Sequence, residues 1–134
     1  MAVQNSVGVR NAILDAWEVA IGTTPKVQIR TGSQPANCAA AASGTLLCEI
    51  DCPSDWMAAA SSGSKTKLGT WTDVGVAAGS AGHYRILDAA GTTCHEHGTV
   101  TATGGGGDMT VDNVSIAVDQ VVTVTGFTKG AGNA

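Results

Sequence analysis

GHYRILDAAGTTCHEHGTVTATGGGGDMTVDNVSIAVDQVVTVTGF, residues 82–127, decides the fold class. Apolar and polar residues alternate in short runs at 83–87, 92–100, 114–118 and 121–127, with a briefer run at 109–111. Turn chemistry at residues 88–91 and four glycines at 104–107 separate them. Period-two alternation hides one side of each strand and leaves the other wet, the pattern of a sandwich or barrel. Threonine, valine and glycine dominate, and groups that do acid–base or ligand chemistry are sparse.

Toward the N-terminus the same pattern continues. Residues 26–30 alternate with Val27 and Ile29 inward, and residues 45–51 place Leu46, Cys48 and Ile50 on one face. Residues 56–60 read as a short strand and residues 65–71 as an edge strand, where lysines discourage unwanted pairing. Residues 38–42 suit one helical turn, and the Ala/Gly-rich residues 74–81 read as irregular. Residues 6–21 are the one strong helix, capped by Ser6 and ended by Gly22, with Val7, Leu14, Trp17 and Ile21 at helical spacing. Ile13, Ala16 and Ala20 widen that stripe, while Arg10, Asn11, Asp15 and Glu18 supply a polar side. The expected architecture is therefore mainly β, a β-sandwich or jelly-roll-like barrel. It is a single domain over residues 1–134 with one N-terminal amphipathic α-helix.

Charged residues make up only 13% of the chain, about half the usual ~25%. A surface covered instead by Ser, Thr, Gly and Ala is favourable to bury against neighbours, because few ions must be desolvated. The net charge of −4 speaks against nucleic acid as a partner, which calls for a basic patch. No apolar run reaches the ~20 residues of a membrane helix. Arg10, Asp15 and Glu18 interrupt the first 20 residues, so no signal peptide is expected and synthesis is expected in the cytoplasm.

Cys38, Cys48, Cys52 and Cys94 allow three full pairings. On an extended strand Cys48 and Cys52 lie about 13 Å apart, beyond the ~7 Å a bridge spans, although a turn before Pro53 would shorten that. Four reduced, mostly buried thiols are one expectation, since cytosolic proteins rarely keep disulfides. A Cys38–Cys94 bridge formed after release from the cell is the other.

Other candidate sites lose to simpler explanations. Cys94-His95-Glu96-His97 offers two histidines about 6.6 Å apart on one strand face, but no spaced zinc-type ligand pair accompanies them. The glycines at 104–107 lack the Lys-Ser/Thr of a phosphate loop. Asp108, Asp112 and Asn113 miss the spacing of a calcium loop. Ser80, His83 and Asp88 have no nucleophile elbow or oxyanion device around them. Neither a catalytic set nor a metal or other cofactor is expected, and the chain is not expected to be an enzyme. Trp17, Trp56 and Trp71 read as core anchors, with an interface role open to Trp56 and Trp71.

Three segments resemble a group of small tailed-bacteriophage virion proteins: VGVRNAILDAWEVAIGTTPKVQIRTGSQPANCAAAASGTLL (7–47), PSDWMAAASSGSK (53–65) and GTVTATGGGGDMTVDNVSIAVDQVVTVTGFT (98–128). The resemblance is one of sequence style across most of the chain and implies a virion part. Among such parts it favours a capsid cement or decoration protein, small and β-rich, often trimeric, seated on the outer shell at three-fold or quasi-three-fold positions. Its partner would be the major capsid protein. A tail or head–tail joining component is the alternative, and a small carbohydrate- or ligand-binding β module is a third reading from another class. Expected contact residues are Arg10 and Asp15 on the helix, Trp56 in a loop, and Lys65 and Lys67 on the edge strand.

Overall fold

The structure, a computed structural model, describes residues 3–132. It is mainly β with one N-terminal helix, and the strands curl as one mixed sheet into a half-barrel. Helix α1 spans Val7–Ile21; the Ser6 hydroxyl accepts from Val9 N at 3.2 Å, and Gly22, at φ 94°, ends it. The strands are β1 (Lys26–Thr31), β2 (Leu46–Asp51), β3 (Ser64–Thr66), β4 (Thr72–Val74), β5 (Gly79–Leu87), β6 (Cys94–Ala102), β7 (Met109–Val111), β8 (Ser115–Ile116) and β9 (Val121–Gly130). Their order across the sheet is β2-β1-β5-β6-β7-β9-β3, with β4 also paired to β9 and β8 to β5.

Alternation sets the register. In β1 Val27 and Ile29 are fully buried and face Ile50 and Cys48 of β2 on one side, Ile86 and Tyr84 of β5 on the other. The two ends of the sheet approach each other where Val76 N, just past β4, donates to the Leu47 carbonyl of β2 at 2.7 Å. That bond ties the β2 edge to the segment after β4 across the curl of the sheet.

Four local expectations are corrected. Residues 79–81 are not irregular: they begin β5, and Ala81 is buried. Residues 56–60 form no strand, only a single bridge from Met57 to Lys67. Of the edge strand expected at 65–71, only residues 65 and 66 are strand, within β3; β4, also on β9, begins beyond it at Thr72. Residues 38–40 make a hydrogen-bonded turn rather than a helical one.

The four-glycine run has a steric cause. β6 and β7 are parallel, with Val100 beside Met109, so residues 103–108 must fold straight back over β6. A Cβ at Gly105 or Gly107 would meet the Thr101 side chain at 2.7 and 2.9 Å. Gly104 and Gly106, at φ 85° and 81°, supply the left-handed bends.

The core is built on aromatic rings. Trp56 and Trp71 are almost fully buried, and Trp17, Trp56, Trp71 and Phe127 lie in a ring of contacts at centroid distances of 5.4–6.2 Å. Tyr84 meets Phe127 edge-on at 5.7 Å. Replacing Trp71 with Ala should destabilise the fold by about 3–5 kcal/mol, read as a lower urea midpoint with an unchanged m-value.

Candidate functional site

The helix presents its polar side to the protein. Asn11 Oδ1 accepts from Gly63 N at 2.9 Å, and the Arg10 guanidinium donates to the Ala131 carbonyl. Asp15 Oδ1 accepts from Ala60 N at 3.3 Å and from Lys65 Nζ at 2.7 Å, and Glu18 Oε2 takes the same ammonium at 2.6 Å. The Lys65 side chain is 1% exposed. Burial alone would lower its pKa, but the hydrogen bonds it donates to Asp15 and Glu18 outweigh that and leave it raised. The same bond to Lys65, followed by the Ala60 N–H, holds Asp15 below its usual range.

Of the expected contact residues, Lys65 and Trp56 are buried, and Arg10, Asp15 and Lys67 keep exposed surface. Lys65 does not point outward from an edge; it is buried under the helix. Trp56 is 1% exposed, its indole donating to the Gly22 carbonyl at 2.9 Å. Half-buried Lys67 donates to the Gly69 carbonyl at 2.8 Å and lies over the Trp71 ring. Arg10 is half-buried and bonds to the body of the domain, whereas Asp15 stays exposed, with 55% of its side chain accessible, while also bonding Lys65 and Ala60.

A second polar hub went unrecognised in the sequence. Glu96 on β6 accepts from Tyr84 Oη at 2.8 Å through one oxygen. Through the other it takes Trp17 Nε1 at 2.9 Å and Lys129 Nζ at 2.8 Å. Burial pushes the Tyr84 phenol up, so it stays a neutral donor. The hub lines a cavity of about 290 Å³ with Asp108 and Phe127. Asp108 caps Thr99, whose backbone N–H and hydroxyl hold its carboxyl below the usual range. Both Glu96 oxygens are thus engaged by groups of the same chain. The available signal was strand alternation, which sets Glu96 opposite His95 and His97, toward the helix.

The remaining candidates do not converge. His95 is exposed at a bulge, where β5 skips from Glu96 to Cys94 between Ile86 and Leu87. His97 lies across from Arg85. Among the described residues, no three His, Cys, Asp or Glu side chains gather as a metal site. Cys48 and Cys52 are buried in the core, and burial pushes both thiols up to about 12. Cys38 and Cys94, by contrast, meet side by side with their sulfurs 2.6 Å apart.

What the inward-turned polar side leaves outside is apolar. Val9, Ala12, Ile13, Ala16, Val19 and Ala20 are all exposed, Ile13 by 51% and Val19 by 80%. At 100° per residue they span about 120°, a third of the helix circumference, without one charge, and exposed Asp15 borders them. A smaller apolar pair, Val74 and Val121, is exposed in register on β4 and β9. Comparison with protein-family models, with curated proteins and with solved structures gave no match to this chain.

Two outcomes follow from the polar groups. Lys65→Ala should cost about 3 kcal/mol in urea unfolding, because it leaves Asp15 and Glu18 facing each other over a void. In reductant, stability should hold from about pH 5 to 9. The raised thiols of Cys48 and Cys52 stay protonated when folded but ionise above pH 9 when unfolded, so stability falls as pH rises there. Lys65, also raised, adds to the fall above 10.5. Asp108 is depressed, so its contribution is lost as pH drops below about 4. A flat urea midpoint from pH 8 to 11 would refute this assignment.

Proposed function

We propose that this chain is a structural subunit of a tailed-bacteriophage virion, a cement or decoration protein that binds the outer capsid shell and stabilises contacts between major capsid subunits. The observation that carries the reading is the uncharged outward face of α1. A helix exposed to water ordinarily turns charge outward; here Arg10 and Glu18 bond inward, Asp15 stands at the rim with its carboxylate bonded to Lys65, and valine, isoleucine and alanine stand outside. Contiguous exposed apolar surface marks a binding surface. The sequence resemblance over residues 7–128 supplies the partner, and the low charge content suits a subunit that is covered by neighbours.

The mechanism is mechanical. A 15-residue helix is about 22 Å long and about 10 Å wide, so its outer face offers a few hundred Å² at most. That is below the roughly 800 Å² per partner of a stable pair. Repetition supplies the rest: a trimer on a three-fold position makes three such contacts at once, and linked contacts multiply.

Immunogold labelling of intact particles, followed by cryo-electron microscopy, tests the proposal. Label on the capsid and density at three-fold or quasi-three-fold positions are expected. Label confined to the neck or tail would replace it with a joining component. Unlabelled particles together with micromolar glycan binding would favour a carbohydrate module. Ile13→Glu should lower capsid occupancy at least tenfold while moving the melting temperature by less than about 2 °C, since the side chain is already in water.

A further inference from the structure

We infer that Cys38 and Cys94 are a modification site: they close an intramolecular disulfide when the protein meets an oxidising solution, fastening the residue 32–45 loop to β6. This rests on the geometry of the pair and stands whether or not the chain belongs to a virion.

The two cysteines are 56 residues apart in sequence, and their sulfurs lie 2.6 Å from each other. That is inside the contact distance of unbonded sulfurs and a small side-chain adjustment from the ~2.05 Å bond. Both side chains are half-buried, so a small oxidant can reach them, whereas Cys48 and Cys52 are enclosed in the core.

The loop carrying Cys38 has a defined seat. It covers the sheet face opposite the aromatic core, where His83 and Arg85 of β5 are buried. His83 Nδ1 bonds the Gly32 carbonyl at 2.9 Å, and the Arg85 guanidinium reaches the carbonyls of Cys38 and Ala40 at 3.4 Å. The Arg85 contacts are long, and Arg85 Nε and His83 Nε2 have no partner. The lid is therefore positioned by weak bonds over groups that are costly to bury unpaired. A covalent strap at Cys38 holds it there.

The chemistry balances with glutathione disulfide as oxidant. One cysteine thiolate attacks it, forming a mixed disulfide and expelling a glutathione thiolate. The neighbouring thiol loses its proton to solvent, attacks the mixed disulfide and expels the second. Two cysteine thiols become one S–S bond, and one glutathione disulfide is reduced to two thiols. Burial, then the bond to Cys94, pushes the Cys38 thiol up to about 12, so the step is slow at neutral pH and quickens with rising pH.

The test uses the full chain, purified in reductant and then moved into glutathione disulfide. After alkylation and non-reducing digestion, mass spectrometry should find one peptide pair joining Cys38 to Cys94, with Cys48 and Cys52 alkylated only after unfolding. The melting temperature should rise by roughly 10 °C on oxidation and fall back with reductant. Cys94→Ser should keep the reduced value in either buffer. Should that variant fail to fold, the wild-type peptide map decides alone. Four free thiols after oxidation would overturn the proposal, as would bridges from Cys38 or Cys94 to another chain or to Cys48 or Cys52.

Discussion

All five aromatic residues of this chain meet in one cluster, and the elements of the fold are hung on it. Trp17 comes from α1, Trp56 and Trp71 from the segment around β3, Tyr84 from β5 and Phe127 from β9. Large rings bury much apolar area with few rotatable bonds, which suits a chain with so few of them. Each polar handle has a partner: the indoles of Trp17, Trp56 and Trp71 donate to Glu96, Gly22 and Leu68, and the Tyr84 hydroxyl donates to Glu96. The cluster thus fixes the helix against the concave side of the half-barrel at a defined height and rotation.

That rotation has consequences for charge. With Trp17 and Leu14 turned to the core, Arg10, Asn11 and Glu18 on the same flank must face the protein as well, 100° or less away around the helix. They are tolerated because Lys65, the backbone at Gly63 and the Ala131 carbonyl lie where they point. The pattern extends to the whole molecule. Each of the seven basic side chains donates to a group of the same chain: Arg10, Lys26, Arg30, Lys65, Lys67, Arg85 and Lys129. Basic residues act here as internal fasteners, which is why Lys65 sits under the helix instead of on an open edge.

What the sequence disclosed follows from the range of the interactions involved. Helix α1, its Ser6 cap and Gly22 stop, and the alternation of β1 and β2 are local, and each was legible. The core stripe of α1 was legible in Leu14, Trp17 and Ile21, but its width was not: Val7, Ile13, Ala16 and Ala20, read as part of it, stand exposed, while Arg10, Asn11 and Glu18 turn inward. The inward turn of the polar residues depends on partners 45 to 121 residues away, such as Ala60 and Ala131. The Glu96 hub was hidden for the same reason, since its three donors come from three separate elements. The pairing of Cys38 with Cys94 could be named among alternatives, but only the loop's path over β5 brings the two sulfurs together.

The two sides of the sheet are finished in opposite ways, and this limits where a partner can bind. The convex side is closed over His83 and Arg85 by the 32–45 loop, whose carbonyls are already committed to those groups. The concave side is closed by α1, whose Arg10 and Glu18 are committed inward and whose exposed Asp15 is bonded to Lys65. What is left outside on α1 is apolar and rigidly held, because both the aromatic cluster and the Lys65 pair anchor the helix. A preformed apolar face loses little conformational freedom on docking, so even a small one contributes usefully once it is repeated in an ordered array. Such a face is a poor seat for a single soluble ligand and a good one for a neighbour of fixed position.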